Sequence, residues 1–422
     1  MGNRKLDLVI RAYSRGAKIT SSRCCWNKFA MSVAWYTSDP RHDSFVPKQN
    51  GCNGGPFLYS VKTKGKLQNG GSDDERPKLL PSFHDADGFK KMKYRRIGCT
   101  DMIVSTVSIG GSGFGNVYGD MNEATATETL HKSLKNGLNY IDTAPWYGQG
   151  KSETYLGKAL KGIPREAYII STKVCRYEPE VQKMFDFSST RILQSAEESL
   201  SRLNLPYVDL LQIHDVEFAP SVDMIVNESL PALQKLKDAG KCRYIGITGY
   251  PIGVLKEVVK KSHVKIDTVL SYCHLSLNDS TLLSELDFFH QHNLPVINAS
   301  PIGMGLLCNA GPPEWHPARD EIKTACRKAV EYCNSKGVDI TKLAIHHSIS
   351  CEEVPTTLTS ITTPAMLDAN LSTIYDGLTA DELEVKQYII KTFFDPLKVK
   401  TWEGVELQQY HENLRQYESL LT

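Results

Sequence analysis

The chain has 422 residues, and its 49 lysines and arginines nearly balance its 48 aspartates and glutamates, which leaves a formal charge of +1. This balance excludes the basic field of a nucleic-acid-binding protein and the acidic composition of a solvated tail. Hydrophobic residues make up 41% of the chain, and no run approaches the roughly 18 apolar residues of a membrane span, so we predict a globular protein without a nucleic-acid or membrane partner.

The cysteines argue against a structural metal. The chain has 11 of them, and the close pairs, Cys24 with Cys25 and Cys326 with Cys333, lack the spacing of zinc ligands. Because no secretory signal is evident, we expect reduced thiols, a cytoplasmic location and no bound metal.

Residues 1–90 are predicted to form a poorly structured extension. Turn-forming clusters interrupt them, as at Asn53–Pro56 and Asn69–Ser72. The first 34 residues are basic, with Asp7 as the single acid and apolar residues at helical spacing. This pattern resembles a mitochondrial transit segment, and a disordered basic leader is the alternative. Leu6 stands where a myristoylation signal needs Ser or Thr, so lipidation is not expected.

Residues 91–378 alternate short β-branched runs with longer amphipathic segments, which predicts eight strand–helix units. The predicted strands are Val104–Ile109, Tyr140–Asp142, Tyr168–Lys173, Val208–His214, Tyr244–Thr248, Thr268–Tyr272, Val296–Ala299 and Leu358–Thr362. The predicted helices are Glu123–Asn136, Ser152–Leu160, Ser189–Leu203, Ile225–Ala239, Val254–Lys261, Leu282–His292, Glu321–Lys336 and Ala365–Tyr375. Most strand runs are apolar throughout, which is typical of parallel strands buried on both faces. We therefore predict an α/β fold, a closed (β/α)8 TIM barrel, with an open doubly wound sheet as the alternative.

Two further segments border this pattern. The glycine-rich Gly110–Gly115 follows the first predicted strand, but no acidic residue stands at the ribose-binding position of a Rossmann fold, so that fold is not predicted. Residues 379–422 are predicted to form a C-terminal helical tail with an amphipathic helix at Leu407–Leu420.

Four polar residues stand at or just after the ends of consecutive predicted strands. Asp142 ends the second strand and Tyr147 follows it, whereas Lys173 and His214 end the third and fourth. The carboxyl ends of barrel strands open into one mouth, so these four side chains, here called the tetrad, are predicted to meet there. Each type alone is more often structural, but a buried ammonium needs a partner, which Asp142 can supply. The coincidence indicates a catalytic site.

The chemistry expected of the tetrad is proton transfer coupled to hydride transfer. Tyr147 would be the general acid or base, and the Lys173 cation is expected to lower its pKa from the usual value of about 10. Asp142 would hold Lys173, and His214 would hydrogen-bond the reacting oxygen.

These residues resemble those of the aldo-keto reductase superfamily. The segment Asp142–Gly148 and the strand end Thr172-Lys173 match its motifs. The resemblance covers about Met92–Tyr375 and implies a TIM barrel whose bottom is crossed by an N-terminal β-hairpin, here Met92–Ile97 with Val104–Thr106. It also implies that the tetrad is catalytic and that a nicotinamide cofactor binds across the mouth.

The same resemblance supplies the expected cofactor contacts. They are Thr248, Ser271, Ser300, Pro301, Ile302, Gly303, Gly305, Leu306, Thr362 and Asn370. Gly249 and Ala299 depart from the family, since many relatives carry an amide and a nicotinamide-stacking aromatic residue there. Near the eighth strand, Ser360 and Thr362 stand among residues that lack the Arg or Lys used by NADP-preferring members. NAD is the expected cofactor, with NADP as the alternative.

Several stretches resemble the L-galactose dehydrogenase branch of this family. They are His214–Phe218, Gly246–Gly249, Ser271–His274 and Gly311–Ala318. The resemblance implies a small sugar or aldehyde substrate, with Trp146, His214 and Trp315 as substrate contacts and with Glu314 and His316 reaching hydroxyl groups. A rigid loop with Trp315 packed on a helix is the alternative.

The activity expected from this resemblance is oxidation of C1 of an aldose such as L-galactose to the lactone. A broad NADPH-dependent carbonyl reductase and a non-catalytic, cofactor-sensing subunit are the alternatives. The sequence does not indicate the oligomeric state.

Overall fold

Alternating strands and helices of residues 75–421, the part of the chain that the computed structural model describes, form a closed barrel of eight parallel strands. Strands β1 (Tyr94–Arg96) and β2 (Ile103–Ser105) form a separate antiparallel pair. In barrel order, the other strands are β3 (Val107–Gly110), β4 (Tyr140–Asp142), β5 (Ile169–Val174), β6 (Val208–Ile213), β7 (Cys242–Gly249), β8 (Thr268–Tyr272), β9 (Val296–Ala299) and β10 (Thr357–Thr359). Pairing of β10 with β3 closes the barrel. The predicted TIM barrel is confirmed.

Helices accompany these strands along the chain. They are α1 (Ala86–Lys91), α2 (Glu123–Lys135), α3 (Lys151–Ala159), α4 (Ser189–Leu203), α5 (Leu230–Asp238, entered through a π-helical turn at Ile225–Ser229), α6 (Ile252–Lys261), α7 (Leu282–Gln291), α8 (Asp320–Ser335), α9 (Ile340–Ile349), α10 (Pro364–Asp376), α11 (Ala380–Ile389) and α12 (Val405–Ser419). N-capping residues explain where two helices begin. The Asn122 and Ser188 side chains accept hydrogen bonds from backbone N–H groups in the first turns of α2 and α4.

The barrel strands separate two packing environments because side chains alternate along a strand. Ile141 and Ile170 join the large core between strands and helices. Tyr140 and Leu210 instead pack inside the barrel, where Met102 and other residues at the β1–β2 hairpin fill the bottom. The hairpin thus closes one end, so polar side chains further along the inner faces lie near the open end.

The structure differs from two expectations and describes only part of a third. The predicted strand Val104–Ile109 is divided at Thr106 into β2 and β3, since Thr106 donates its N–H to the Lys93 carbonyl oxygen at 3.0 Å. Helix α9 was not predicted and lies between α8 and β10. Of the predicted extension, residues 75–90 are described and include the start of α1, whereas the transit-like segment lies outside the described residues.

The C-terminal residues pack against the barrel. Trp402 is buried, and its backbone N–H donates to the Tyr250 hydroxyl at 3.0 Å. Its indole ring stacks on the Tyr250 ring, with the ring centres 4.9 Å apart. Tyr410 of α12 meets Phe185 edge-on at 5.3 Å. Within residues 75–421, no helix is both long enough and apolar enough to cross a membrane.

A buried carboxylate near the start of β6 gives the first stability prediction. Asp209 accepts hydrogen bonds from Arg165 (2.6 Å), Arg243 (3.0 Å) and the Ile170 N–H (2.8 Å). We expect Asp209→Asn to lower the free energy of unfolding by about 1–3 kcal/mol, because charge-assisted hydrogen bonds to a buried carboxylate are lost. Asp101→Asn, which alters the exposed partner of the same Arg243, is the matched control and should cost less than about 1 kcal/mol in urea titrations. Equal losses of stability in the two variants would contradict a special contribution of the buried Asp209 carboxylate.

Candidate active site

The tetrad converges at the open end of the barrel, as predicted. Asp142 is the last residue of β4 and shares the inner face of Tyr140, two residues earlier. Lys173 lies on neighbouring β5, and His214 directly follows β6, where its N–H donates to the Val174 carbonyl oxygen at 3.0 Å. Tyr147 reaches the same place from the loop between β4 and α3.

Lys173 is the centre of the site. It is 1% exposed and forms an ion pair with Asp142, which is 2% exposed. Its Nζ also donates to the Thr143 carbonyl oxygen at 2.8 Å and to the Tyr147 hydroxyl at 3.3 Å. Burial lowers the pKa of Lys173, but Asp142 and Tyr147 raise it by more, so the net pKa is raised and the amine is charged.

The pKa of Tyr147 differs from the sequence-based expectation. Lys173 does lower it, but burial raises it by a larger amount, and the Asp142 and Asp215 carboxylates raise it further. The net pKa therefore lies above its usual value rather than below it. Tyr147 is protonated at neutral pH, which suits a general acid and makes its action as a base favour alkaline pH.

His214 is a neutral imidazole at neutral pH. Burial lowers its pKa to about 3, although the neighbouring Asp215 raises it. Its ring meets that of Tyr147 edge-on at 5.8 Å. Neutral imidazole carries one N–H, which can donate to an oxygen held beside Tyr147.

Sequence reasoning missed one residue that holds the tetrad. Gln212 of β6 is fully buried, and its Nε2 donates to Asp142 Oδ2 at 2.8 Å and to Ser171 Oγ at 2.7 Å. Its position two residues before His214, on the same strand face, was an available signal. Gln212 fixes the Asp142 oxygen that Lys173 does not use.

Two of the expected cofactor contacts have polar atoms available for a ligand. The Ser271 hydroxyl and the Asn370 Oδ1 are buried and have no hydrogen-bond partner among the described residues. Buried polar groups are rarely left unpaired, so these atoms fit a polar ligand. Thr248 is engaged differently, because its Oγ1 accepts the Asp215 N–H at 3.1 Å.

The segment Ser300–Leu306 follows β9 and has an unusual backbone. Ser300, Gly303, Met304 and Gly305 have positive φ angles of 58°, 59°, 52° and 102°, a conformation that favours glycine. The N–H groups of Gly303, Gly305 and Leu306 donate within the segment. At these three positions the segment offers a close backbone approach to a ligand rather than free N–H donors.

His316 holds this segment and does not reach substrate hydroxyls as expected. Its Nδ1 accepts the Ala318 N–H at 3.0 Å, so Nε2 carries the proton and donates to the Gly303 carbonyl oxygen at 2.9 Å. Both ring nitrogens are thereby used. The loop Gly311–Ala318, singled out for substrate recognition, is tied through His316 to the candidate cofactor segment.

The buried His316 predicts a pH-dependent stability. Burial lowers its pKa to about 4 in the folded protein, below the value of about 6.5 in the unfolded chain, so acid protonates the unfolded state first. We expect this residue to remove about 2 kcal/mol of stability between about pH 7 and pH 5. His316→Gln should lose that part of the pH dependence in urea titrations, whereas His263→Gln, at an exposed position, should retain it. An unchanged pH dependence in His316→Gln would contradict the prediction.

The aromatic candidates lie in different surroundings. The Arg176 guanidinium lies 4.2 Å from the centre of the Trp146 ring, so one face of that ring is already stacked, and its role as a substrate contact stays a prediction. Trp315 is 40% exposed and lies 6.1 Å from the ring of Tyr118, which is 46% exposed. Tyr118, from the loop after β3, was not singled out in the sequence.

The residues expected near the adenosine end come together beside β10. Ser360 Oγ lies 3.3 Å from Ser112 Oγ, and a Cβ added to Gly113 would lie 2.9 Å from Thr362 Cγ2. Asn370 Nδ2 donates to the Met366 carbonyl oxygen at 2.7 Å. No Arg or Lys occurs between Ser360 and Asn370.

Comparisons with known proteins agree with this architecture. The model of the aldo/keto reductase family matches residues 106–387. The chain is 42% identical over 317 residues to L-galactose dehydrogenase from Arabidopsis thaliana, covering 74% of this chain and 97% of that protein. It is 34% identical over 260 residues to D-arabinose 1-dehydrogenase from Saccharomyces cerevisiae, covering 58% and 76%. The solved structure of aldo-keto reductase AKR11C1 from Bacillus halodurans, in its holo form, aligns with a TM-score of 0.57 and 28% identity, over 71% of this chain and 96% of that one.

Proposed function

Because the chain belongs to the aldo/keto reductase family and is an NAD(P)-dependent oxidoreductase, we propose that it oxidises C1 of an aldose, such as L-galactose, to the lactone. The observation that carries the proposal is the tetrad geometry: the Tyr147 hydroxyl lies 3.3 Å from the charged Lys173 and beside the neutral His214. The similarity to L-galactose dehydrogenase and D-arabinose 1-dehydrogenase supports the choice of an aldose.

The tetrad would divide the reaction as follows. The sugar in its hemiacetal form loses a proton from the C1 hydroxyl to the ionised oxygen of Tyr147 and a hydride from C1, which leaves the C1=O bond of the lactone and neutral Tyr147. A bound oxidised nicotinamide supplies the hydride acceptor. Lys173 stabilises the Tyr147 oxygen in its ionised form, Asp142 and Gln212 hold Lys173 in place, and His214 orients the C1 oxygen by a hydrogen bond. In the reverse direction, Tyr147 returns the proton.

The sugar would lie against Trp315 and Tyr118 at the rim of the mouth. Their rings are partly exposed and 6.1 Å apart. Aromatic rings bury the apolar C–H face of a sugar at a small cost in conformational entropy. The hydrogen bond of His316 to the Gly303 carbonyl oxygen holds the loop that carries Trp315, so the backbone that carries this ring is held in place.

We propose NAD as the preferred cofactor, since the sequence from Ser360 to Asn370 has no Arg or Lys to hold a 2′-phosphate, and Lys132, which reaches this stretch, is paired with Asp368. Thr362→Arg is expected to lower the KM for NADP about tenfold, which is about 1.4 kcal/mol of added binding, and to leave kcat with NAD nearly unchanged. Thr362→Val is the control, because it removes the hydroxyl without adding charge. If Arg and Val variants gave the same ratio of NADP to NAD efficiency, the cofactor assignment here would be wrong.

The function is tested by initial rates on L-galactose, D-arabinose, L-fucose and simple aromatic aldehydes, each with NAD(H) and NADP(H). Sugar oxidation with NAD above every aldehyde rate is the expected result. Faster aldehyde reduction with NADPH would replace the proposal by a broad carbonyl reductase. Absence of turnover with every pair, in protein that binds nucleotide, would point to a cofactor-sensing subunit.

A further inference from the structure

Arg176 lies beside the tetrad and is surrounded by aromatic rings. Arg176 follows β5, and its guanidinium carbon lies 4.2 Å from the ring centre of Trp146, 5.3 Å from that of Phe185 and 5.8 Å from that of Phe218. Aromatic rings on several sides hold a planar guanidinium in one orientation. Nothing in the sequence predicts a role for this residue.

Arg176 is directed at the residue after His214. Its Nη1 donates to Asp215 Oδ2 at 2.6 Å, and Asp215 is 2% exposed. Asp215 adopts a positive φ of 51°, an uncommon conformation for a residue with a side chain, which costs free energy that its surroundings must offset. The Asp215 N–H donates to Thr248 Oγ1 at 3.1 Å, which also helps to hold it there.

The same carboxylate oxygen lies beside the imidazole of His214. Asp215 Oδ2 is 3.8 Å from His214 Nε2. His214 Nδ1 is buried and has no hydrogen-bond partner among the described residues. A negative charge beside Nε2 attracts the positive end of an N–H bond, so it favours the tautomer that has its proton there. The other tautomer would in addition bury an unpaired N–H on Nδ1.

We propose that the Arg176–Asp215 ion pair is a positioning element for His214: Asp215 keeps the imidazole proton on Nε2, and Arg176 balances the carboxylate so that His214 stays neutral. Its value for catalysis rests on the proposed function, since a neutral Nε2–H donor is what the C1 oxygen would require. The effect of the ion pair on the tautomer and charge of His214 does not depend on that function.

The charges around His214 act in the directions that the proposal needs. Asp215 raises the pKa of His214, whereas Lys173 and Arg176 lower it, together with burial. Other ionisable groups face the ion pair or the imidazole, and they are Tyr147, Glu217, Tyr272 and Glu406. Removing Arg176 withdraws one positive charge from His214 and leaves the Asp215 carboxylate without its partner.

The test is a pH titration of His214 by ¹H–¹⁵N NMR on the full chain labelled at histidine, with the His214→Gln variant used to assign the signal. In the wild type, His214 should remain neutral down to about pH 5, in keeping with its pKa of about 3. In Arg176→Met, its titration midpoint should rise by about one to three pH units. Arg176→Lys should restore most of the wild-type behaviour, and so should the double variant Arg176→Met with Asp215→Asn.

Two comparisons separate positioning from a general structural effect. Arg191→Met is the matched control, because Arg191 also lies over an aromatic ring, that of Tyr177 at 4.0 Å, and pairs with Glu198. It should leave the His214 titration unchanged. In Asp215→Asn, the ¹⁵N shifts should report a redistribution of the proton from Nε2 toward Nδ1.

An unchanged His214 midpoint in Arg176→Met would overturn the proposal. If that variant does not fold, unchanged ¹⁵N shifts in Asp215→Asn would overturn it equally. Where turnover is present, the acid limb of kcat/KM should move to higher pH in Arg176→Met with the NMR midpoint. A protein that oxidises no sugar would refute the proposed function, yet its His214 titration would still decide this inference.

Discussion

Replacing Tyr147 by Phe is expected to lower kcat about 10²–10⁴-fold, because the hydroxyl that exchanges the proton is removed while the ring is kept. In the structure this hydroxyl accepts a hydrogen bond from Lys173 at 3.3 Å, and Phe places no oxygen there. The measurement is the steady-state rate of sugar oxidation, with nucleotide binding by fluorescence as the control. Binding should be preserved, since Phe retains the contact with the His214 ring.

The pH dependence gives the same prediction a second readout. Burial holds the pKa of Tyr147 above its usual value, so oxidation by the wild type should accelerate as pH rises toward the alkaline range, and reduction should slow. Tyr147→Phe should lose this dependence in its residual rate. A Phe variant that retained most of the activity, or the same pH profile, would show that another group transfers the proton.

Replacing Lys173 by Met is expected to lower the free energy of unfolding by about 3–5 kcal/mol and to abolish turnover. The substitution leaves the carboxylate of Asp142, which is 2% exposed, without its counter-ion inside the barrel, and a buried unpaired charge is strongly destabilising. Turnover fails separately, because nothing then stabilises the ionised Tyr147 oxygen. Urea titrations with linear extrapolation measure the loss of stability.

The double variant Asp142→Asn with Lys173→Met separates the two effects. Removing both charges should recover most of the lost stability, since a pair of neutral side chains of similar volume is tolerated far better than one buried charge. The activity should remain absent. Recovery of turnover would contradict the role of Lys173, and a failure to recover stability would show that the Met side chain itself does not fit among Thr143, Tyr147 and Asp142.

The site shows where sequence reasoning worked and where it failed. The tetrad could be found because each member lies at, or just beyond, the end of a strand, and strand periodicity fixes which face a residue occupies. Gln212 carried the same signal and was overlooked. The predicted direction of the net pKa shift of Tyr147 was wrong. The electrostatic effect of Lys173 can be inferred from chemistry, whereas the larger effect of burial depends on the packing around the ring.

Helix α9 illustrates a second limit. Ile340, Leu343, Ala344 and Ile345 are buried and none of the ten residues of the helix is exposed, so the segment lacks the exposed polar face by which the surface-facing helices were recognised. The C-terminal tail is a related case, since α12 could be placed from its pattern, but the contact of Tyr410 with Phe185 could not.

The sequence by itself determined the order of strands and helices, the closed parallel barrel and the residues at its carboxyl ends, because these follow from local periodicity and from the rules of strand connection. Only the tertiary structure decided that His316 holds Gly303, that Arg176 covers Trp146 and that Asp215 lies beside His214 Nε2. The contact of Arg176 with Trp146 joins two different loops at the mouth, whereas the other two contacts each lie within one loop. Their geometry depends on how these loops fold, and no periodicity in the chain records that.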